Sequence, residues 1–284
     1  MTPACGEASA AYDSDHAALR AACERDAALA TIVGIEGSFS RRLGAQLAVV
    51  RKDVIVGDLA DTCLERQVAA DLGSIEAPEV RRYGAGSGVI DFRLPCGGGL
   101  DILLDPAPDR DACRSALDQL GARRPTRLPL PPCSPLSHRA YLPSLRLRLF
   151  GAGPDALAVR DLAAALGIAL EGKEIDSLSL GQPSGLAPAD AFTAVLLLFH
   201  DHEWERALLA EALETDAFYI GAQGGEKARR ERRRTLLSDG LDEEAISRIR
   251  SPVGVVPSSK TPRMLALSTL TEIVAEYESL LADA

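Results

Sequence analysis

Several groups of residues in this chain have types and spacings suited to chemistry. Gly151-Ala-Gly153 lies between an alternation of apolar and charged residues, Leu145-Arg-Leu-Arg-Leu-Phe150, and a stretch of helical periodicity, Leu157–Leu166. Gly151 permits a tight turn, Gly153 lets backbone N–H groups approach a phosphate, and Ala156 is small enough for close helix packing. The helix that starts there adds partial positive charge and unpaired donors. Glu171 or Glu174 then stands where a dinucleotide fold places its ribose-binding acid. A second group centres on cysteine. Thr62-Cys-Leu-Glu65 reads as a capping box, which puts Cys63 in a first helical turn where the macrodipole favours a thiolate. Packing of a small apolar side chain beneath the helix end is the alternative. Cys96 sits among glycines in Pro95-Cys-Gly-Gly-Gly99, where its sulfur has little shielding.

Two further groups carry charge. Arg41 and Arg42 fall in the loop Glu36–Gly44, whose glycines and arginines suit an anion or simply a solvated turn. Gly221-Ala-Gln-Gly-Gly225 precedes the basic run Lys227–Arg234, and exposed amides beside arginines suit a phosphate. His200-Asp-His202 closes the apolar run Phe192–Phe199. In a continuing strand the two imidazoles point to opposite sides, so a metal pair requires the chain to turn; a ligand hydrogen bond or a helix cap is the simpler role.

Elements must hold these groups in place. Leu145–Gly151 followed by Leu157–Leu166 is strand, turn and helix, and Ile168–Glu174 a second strand. Phe192–Phe199 is the continuous apolar strand of a parallel sheet, and Asp216–Ile220 repeats the pattern. Ligands of such sheets bind beyond the carboxyl ends of the strands, which places Gly151, Gly153, His200, His202, Gly221 and Gly224 along one edge. Upstream, a helix from Asp13 or Ser14, strands at Leu29–Ile35, Ala45–Val50 and Val54–Leu59, a helix to Leu72, strands at Glu79–Tyr83, Val89–Leu94 and Leu100–Leu104, and a helix ending near Gly121 make an α+β half. Residues 122–143, rich in proline, read as a semi-rigid linker. Thr261-Pro262 caps a long last helix. The expected fold class is therefore α/β, with an N-terminal α+β domain (1–121, holding Cys63 and Cys96) followed by a Rossmann-like parallel-sheet domain (144–284).

Composition narrows the partners. The chain has 284 residues, 46% of them hydrophobic and 25% charged, with a net charge of −10. An acidic chain is a poor general binder of nucleic acid, which needs a basic face. No apolar run approaches a membrane span, and the start lacks a basic region followed by an apolar one, so a cytoplasmic protein with no membrane partner is expected. The six cysteines, Cys5, Cys23, Cys63, Cys96, Cys113 and Cys133, all precede Gly151 and form no C-x-x-C pair, which fits neither a zinc knuckle nor a disulfide framework.

The order of motifs resembles the XdhC/CoxI family, accessory proteins that mature molybdenum hydroxylases such as xanthine dehydrogenase. The matching pieces are Gly37–Ala45, Gly57–Glu65, Pro95–Gly98, Phe150–Gly153, His200–His202, Phe218–Gly221, Ser251–Gly254 and Lys260–Pro262. The resemblance implies molybdenum cofactor (molybdopterin) as bound cargo, an apo molybdenum hydroxylase and a cysteine desulfurase as partners, and a terminal sulfido ligand added while the cargo is held. It implies Cys63 as the leading thiol and Cys96 as the second, with Arg41, Gly151, Gly153, His200, His202, Gly221 and Gly224 as further cargo-binding residues. A homodimer is an expected assembly. An NAD(P)-dependent oxidoreductase using the Gly151-Ala-Gly153 turn is the alternative reading, and a metal-dependent hydrolase at His200-Asp-His202 a third. Asp61-Thr62 stands where the family has a glycine pair, and Gly225-Glu226 where it has a serine and a basic residue.

Overall fold

The structure is a computed structural model and describes residues 14–50, 54–88, 97–199, 201 and 203–282. The chain divides into two compact units between Pro143 and Ser144.

The first unit is built on a five-stranded antiparallel sheet. In chain order it contains α1 (Ser14–Glu24), β1 (Ala27–Glu36), β2 (Gln46–Val50), β3 (Val54–Gly57), α2 (Thr62–Leu72), β4 (Glu79–Gly84), β5 (Gly99–Asp105), α3 (Arg110–Gly121), β6 (Thr126–Pro129) and β7 (His138–Tyr141). The sheet order is β3-β2-β1-β5-β4. Successive side chains of a strand point to opposite faces, and both faces here are covered. Leu47, Val49, Ala30 and Ile32 pack with Leu64, Val68 and Leu72 of α2. Ala48, Val50 and Leu29 pack with Ala18, Leu19 and Ala22 of α1 and with Cys113, Ala116 and Leu120 of α3. Burial on both faces explains why β1 and β2 read as nearly continuous apolar runs.

The proline-rich stretch is not a linker. Residues 126–141 form an antiparallel hairpin, β6 with β7, that belongs to the first unit. Leu128 and Tyr141 lie in the α1–α3 core, and the Tyr141 hydroxyl donates to Gln46 Oε1. The expected strand Val89–Leu94 lies outside the described residues.

The second unit is a five-stranded parallel sheet with helices. It runs β8 (Arg146–Gly151), α4 (Gly153–Ala165), β9 (Ala169–Glu174), β10 (Thr193–Leu198), α5 (Glu205–Leu213), β11 (Tyr219–Ala222), α6 (Glu226–Ser238), α7 (Glu243–Ser247), β12 (Ile249–Arg250) and α8 (Pro262–Ala282). The sheet order is β12-β11-β10-β8-β9, every pair parallel. All six residues of β10 are buried, as its unbroken apolar sequence requires. β9 is polar because it is an edge strand, where charge discourages further pairing. Its Glu171 lies opposite Arg148 of β8, whose buried guanidinium donates to it at 2.6–2.8 Å. Between β9 and β10 there is a single 3-10 turn, Ile175–Ser177, in place of a second crossover helix. No helix among the described residues is long and apolar enough to cross a membrane.

Candidate functional site

The chain moves outward from β8 in two directions, through α4 to β9 on one side and to β10, β11 and β12 on the other. The order therefore reverses between β8 and β10, and open α/β sheets bind ligands at that crevice, beyond the carboxyl ends. Register places Gly151, Leu198, Ala222 and Glu174 along this edge, since Gly151 pairs with Leu198 and Glu174, and Leu197 with Ala222.

Three helices that follow these strands, α4, α5 and α6, begin without a side-chain cap, and α4 and α6 start at small residues. Ala152 precedes α4 and Gly225 precedes α6, and neither supplies an oxygen to the first-turn amides. Such ends offer unpaired N–H donors and partial positive charge to an anion. A Cβ at Gly153 (φ +78°) or Gly225 would meet nothing within 4 Å, so both helix starts open onto free space. Gly151 and Gly221 serve packing instead. A Cβ on Gly151 would lie 2.5 Å from the Leu198 carbonyl, and one on Gly221 2.6 Å from the Tyr219 ring. Gly224, at φ +123°, shapes the loop between β11 and α6.

Buried polar groups hold this edge together. Arg232 of α6 is 7% exposed and Glu205 of α5 1%. The Arg232 guanidinium donates to Glu205 Oε2 at 2.8 and 3.0 Å, to Ser251 Oγ at 2.9 Å and to the Gln223 carbonyl at 2.7 Å. One side chain thus fastens α5, the β11–α6 loop and the loop after β12. Gln223 Nε2 donates to Asp155 Oδ2 at 2.7 Å, joining the starts of α6 and α4. Its Oε1 is enclosed without a hydrogen-bond partner among the described residues. Glu272 of α8 accepts from the Tyr219 hydroxyl and from the Gly254 amide, both at 2.7 Å. Burial, then the Glu272 carboxylate, pushes the Tyr219 hydroxyl far up, so it remains a donor. The candidate ribose acids are engaged within the chain: Glu171 with Arg148, and Glu174 with Arg160 of α4.

The candidate anion groups of the first unit carry their own counter-charges. Arg41 is ion-paired with Asp58. Burial pulls the Asp58 carboxyl upward, but the Arg41 hydrogen bond and the Ala60 amide outweigh it and hold the carboxyl below its ordinary range. α2 is capped by Asp61 rather than Thr62. Asp61 Oδ1 accepts from the amides of Cys63 and Leu64 at 2.8 and 3.0 Å, while Glu65 reaches back to the Leu59 amide at 2.8 Å. Cys63 is exposed in the first turn. The negative charge that the helix start favours there belongs to Asp61. His200, His202 and Cys96 lie outside the described residues.

Comparison with known proteins follows the same division. Residues 147–273 match the XdhC Rossmann domain family, and residues 21–84 match the XdhC and CoxI family. The chain is 32% identical over 271 residues to the Molybdenum cofactor insertion chaperone PaoD of Escherichia coli, covering 88% of this chain and 83% of that protein. The chain belongs to the XdhC/CoxI family. A second E. coli relative, the Uncharacterized protein YqeB, is 26% identical over 268 residues, and the match spans 43% of its length. Among solved structures, one described as a xanthine dehydrogenase from Bacillus halodurans superposes with a TM-score of 0.72 at 21% identity, covering 94% of this chain and 96% of that one. That likeness establishes the fold of this XdhC/CoxI member.

Sequence reading singled out the glycines of the XdhC/CoxI pattern but not the side chains that brace them. Arg232 is one of several arginines in Lys227–Arg234. Its only distinguishing sign is helical phase, four residues before the buried Leu236. Gln223 and Asp155 carried no pattern that would separate them from loop and first-turn residues.

Proposed function

We propose that this protein is a maturation factor that binds molybdenum cofactor and delivers it to an apo molybdenum hydroxylase, holding it while a cysteine desulfurase supplies the sulfido ligand. The observation that carries the reading is the 32% identity, across most of both chains, with an insertion chaperone for that cofactor. The chemistry of the second unit supports it. The cofactor's terminal phosphate needs fixed donors, and the uncapped starts of α4 and α6 offer backbone amides beside open space at the switch point. Asp155 is held aside by Gln223, which lessens its competition with a phosphate. The exposed Cys63 is a soft sulfur compatible with a molybdenum dithiolene.

The test is cofactor retention. The protein purified from cells that make molybdenum cofactor, then oxidised, yields the fluorescent pterin product in an amount near one per chain. Gly225→Asp, which sets a carboxylate at the start of α6 where φ is −80° and a Cβ meets nothing within 4 Å, lowers the yield at least about tenfold while leaving the fold intact. Pterin no higher than for an unrelated protein would reject the proposal. Saturable NAD(H) binding by calorimetry in the same preparation would favour a nucleotide-dependent enzyme instead.

A further inference from the structure

β8 and β9 share a charged face whose balance is incomplete. Neighbours in register point to the same side of a sheet, and here Arg148 stands beside Glu171 and Phe150 beside Lys173. Arg146 lies two residues before Arg148, so it shares that side. Phe150 packs in one cluster with Val195, Leu197 and Leu208, which makes this the face covered by α5. Charge discourages further pairing on an edge strand such as β9, but β8 is interior, and its Arg148 is 4% exposed. Glu171 serves both guanidiniums: Oε1 accepts from Arg148 at 2.6–2.8 Å, and Oε2 lies 3.7 Å from Arg146. Lys173 is half-buried and forms no ion pair among the described residues. Three cations therefore face one carboxylate.

No neighbouring element supplies the missing charge. Residues 178–192 follow β9 in place of a crossover helix and form neither helix nor strand, and irregular segments of this length in a compact domain are commonly functional. Leu178 to Ala189 contains no charged residue. Leu178, Leu186 and Ala189 pack against the same core, and Ser184 is fastened to Glu211 of α5 through its amide and hydroxyl at 2.7 and 2.8 Å. A Cβ at Gly185 (φ +67°) would lie 3.9 Å from Lys173 Nζ, so this segment roofs the lysine. Asp190 is committed to the Phe192 amide and the Thr193 hydroxyl, and Asp176 is exposed and forms no ion pair among the described residues. Glu174 points to the opposite side of the sheet, where Arg160 of α4 meets it. We infer that Arg146, Arg148 and Lys173, roofed by residues 178–189, bind a small phosphate-bearing dianion, either inorganic phosphate or a phosphate monoester. Unmatched charge taken out of water is costly, and a dianion answers an excess of two. Guanidinium forks and an ammonium are the charge-assisted donors that phosphate oxygens accept. The site uses no helix start, so the inference stands independently of the cargo.

Calorimetry with inorganic phosphate, on the full chain made in cells lacking molybdenum cofactor, tests it. About one phosphate binds per chain, and Lys173→Gln and Arg146→Gln each weaken it about tenfold or more, the loss of a hydrogen bond to a charged group. Melting temperatures matching the wild type show that these substitutions leave the fold intact. Gly225→Asp, which lowers cofactor retention, leaves this phosphate bound, so the two readings fail separately. Glycerol 3-phosphate separates the sources: tighter binding than inorganic phosphate assigns a monoester held under the roof, and equal or weaker binding assigns the free ion. No saturable uptake, uptake lost with Gly225→Asp, or uptake unchanged in both Lys173→Gln and Arg146→Gln overturns the site. Succinate that binds more tightly than either phosphate would make the ligand a dicarboxylate and overturn the assignment to phosphate.

Discussion

Asp61 decides what the start of α2 can do. Its carboxylate accepts from the Cys63 and Leu64 amides, so the donors that would otherwise attract an anion, or a thiolate from Cys63, are already committed. Asparagine caps as well as aspartate but carries no charge. Asp61→Asn is therefore expected to leave the melting temperature nearly unchanged while alkylation of Cys63 by iodoacetamide becomes several-fold faster at pH 7. Peptide mass spectrometry follows the rate, and an unchanged rate would mean that this charge does not govern the thiol. Asp61→Ala removes the cap too and is expected to cost about 1 kcal/mol. Cys113 behaves in the opposite way. Burial first, with the neighbouring Cys23 and Asp109 adding to it, pushes its thiol from 9.0 to about 11. In the native protein at pH 8 it stays unlabelled while the exposed Cys63 and Cys133 react. The sign for stability follows from the upward shift: the unfolded chain loses this proton first, so Cys113 lowers stability as pH rises from about 9 towards 11 and has no effect below that range. Cys113→Ala should abolish that part of the alkaline loss in urea titrations.

The Arg232–Glu205 pair acts between elements. It joins α5, α6 and the loops that follow β11 and β12 in a buried setting, where removing one partner of an ion pair costs about 3–5 kcal/mol. Arg232→Met should lose that amount in chemical unfolding. The double variant Arg232→Met with Glu205→Leu should regain most of it, since a well-packed apolar pair replaces an ionic one at little cost. Cofactor retention should not return with stability, because the ties to the Gln223 carbonyl and Ser251 are still missing. Retention that recovers in step with the melting temperature would reduce Arg232 to a purely structural role. The same elements show what a sequence discloses. β8, α4 and β9 are legible because the apolar period changes from two to 3.6 at Gly151-Ala-Gly153, and β10 because its apolar run is unbroken. The start of α2 is harder: Asp61 and Thr62 are both good caps, and the left-handed turn at Ala60 (φ +68°), which brings Asp61 to the helix end, has no sequence sign. Arg232 is hidden by its basic neighbours, since burial depends on packing between α5 and α6.

At the scale of the whole molecule, residues 122–143 are the informative misreading. Their prolines suggest stiffness and separation, yet Pro129 ends β6, and Pro131, Pro132 and Pro135 occupy the turn before β7, where no sheet hydrogen bond is lost. What the prolines leave free is an alternation that buries Leu128 (4% exposed) and Tyr141 (2% exposed) against α1 and α3. Arg139 adds a 2.6 Å hydrogen bond to the Gly44 carbonyl, and Tyr141 satisfies Gln46 beneath β2. A fragment ending at residue 121 would lose both apolar side chains, worth about 2 kcal/mol each, and would leave the Gln46 acceptor without its hydroxyl, a further cost of about 1–3 kcal/mol. The sum is comparable with the about 5–15 kcal/mol that holds an ordinary domain folded. A fragment of residues 1–143 is therefore expected to unfold cooperatively in urea, whereas residues 1–121 should show a far lower midpoint or no cooperative transition at all. Equal midpoints for the two fragments would return the hairpin to the role of a connector and place the stability of the first unit entirely in its sheet.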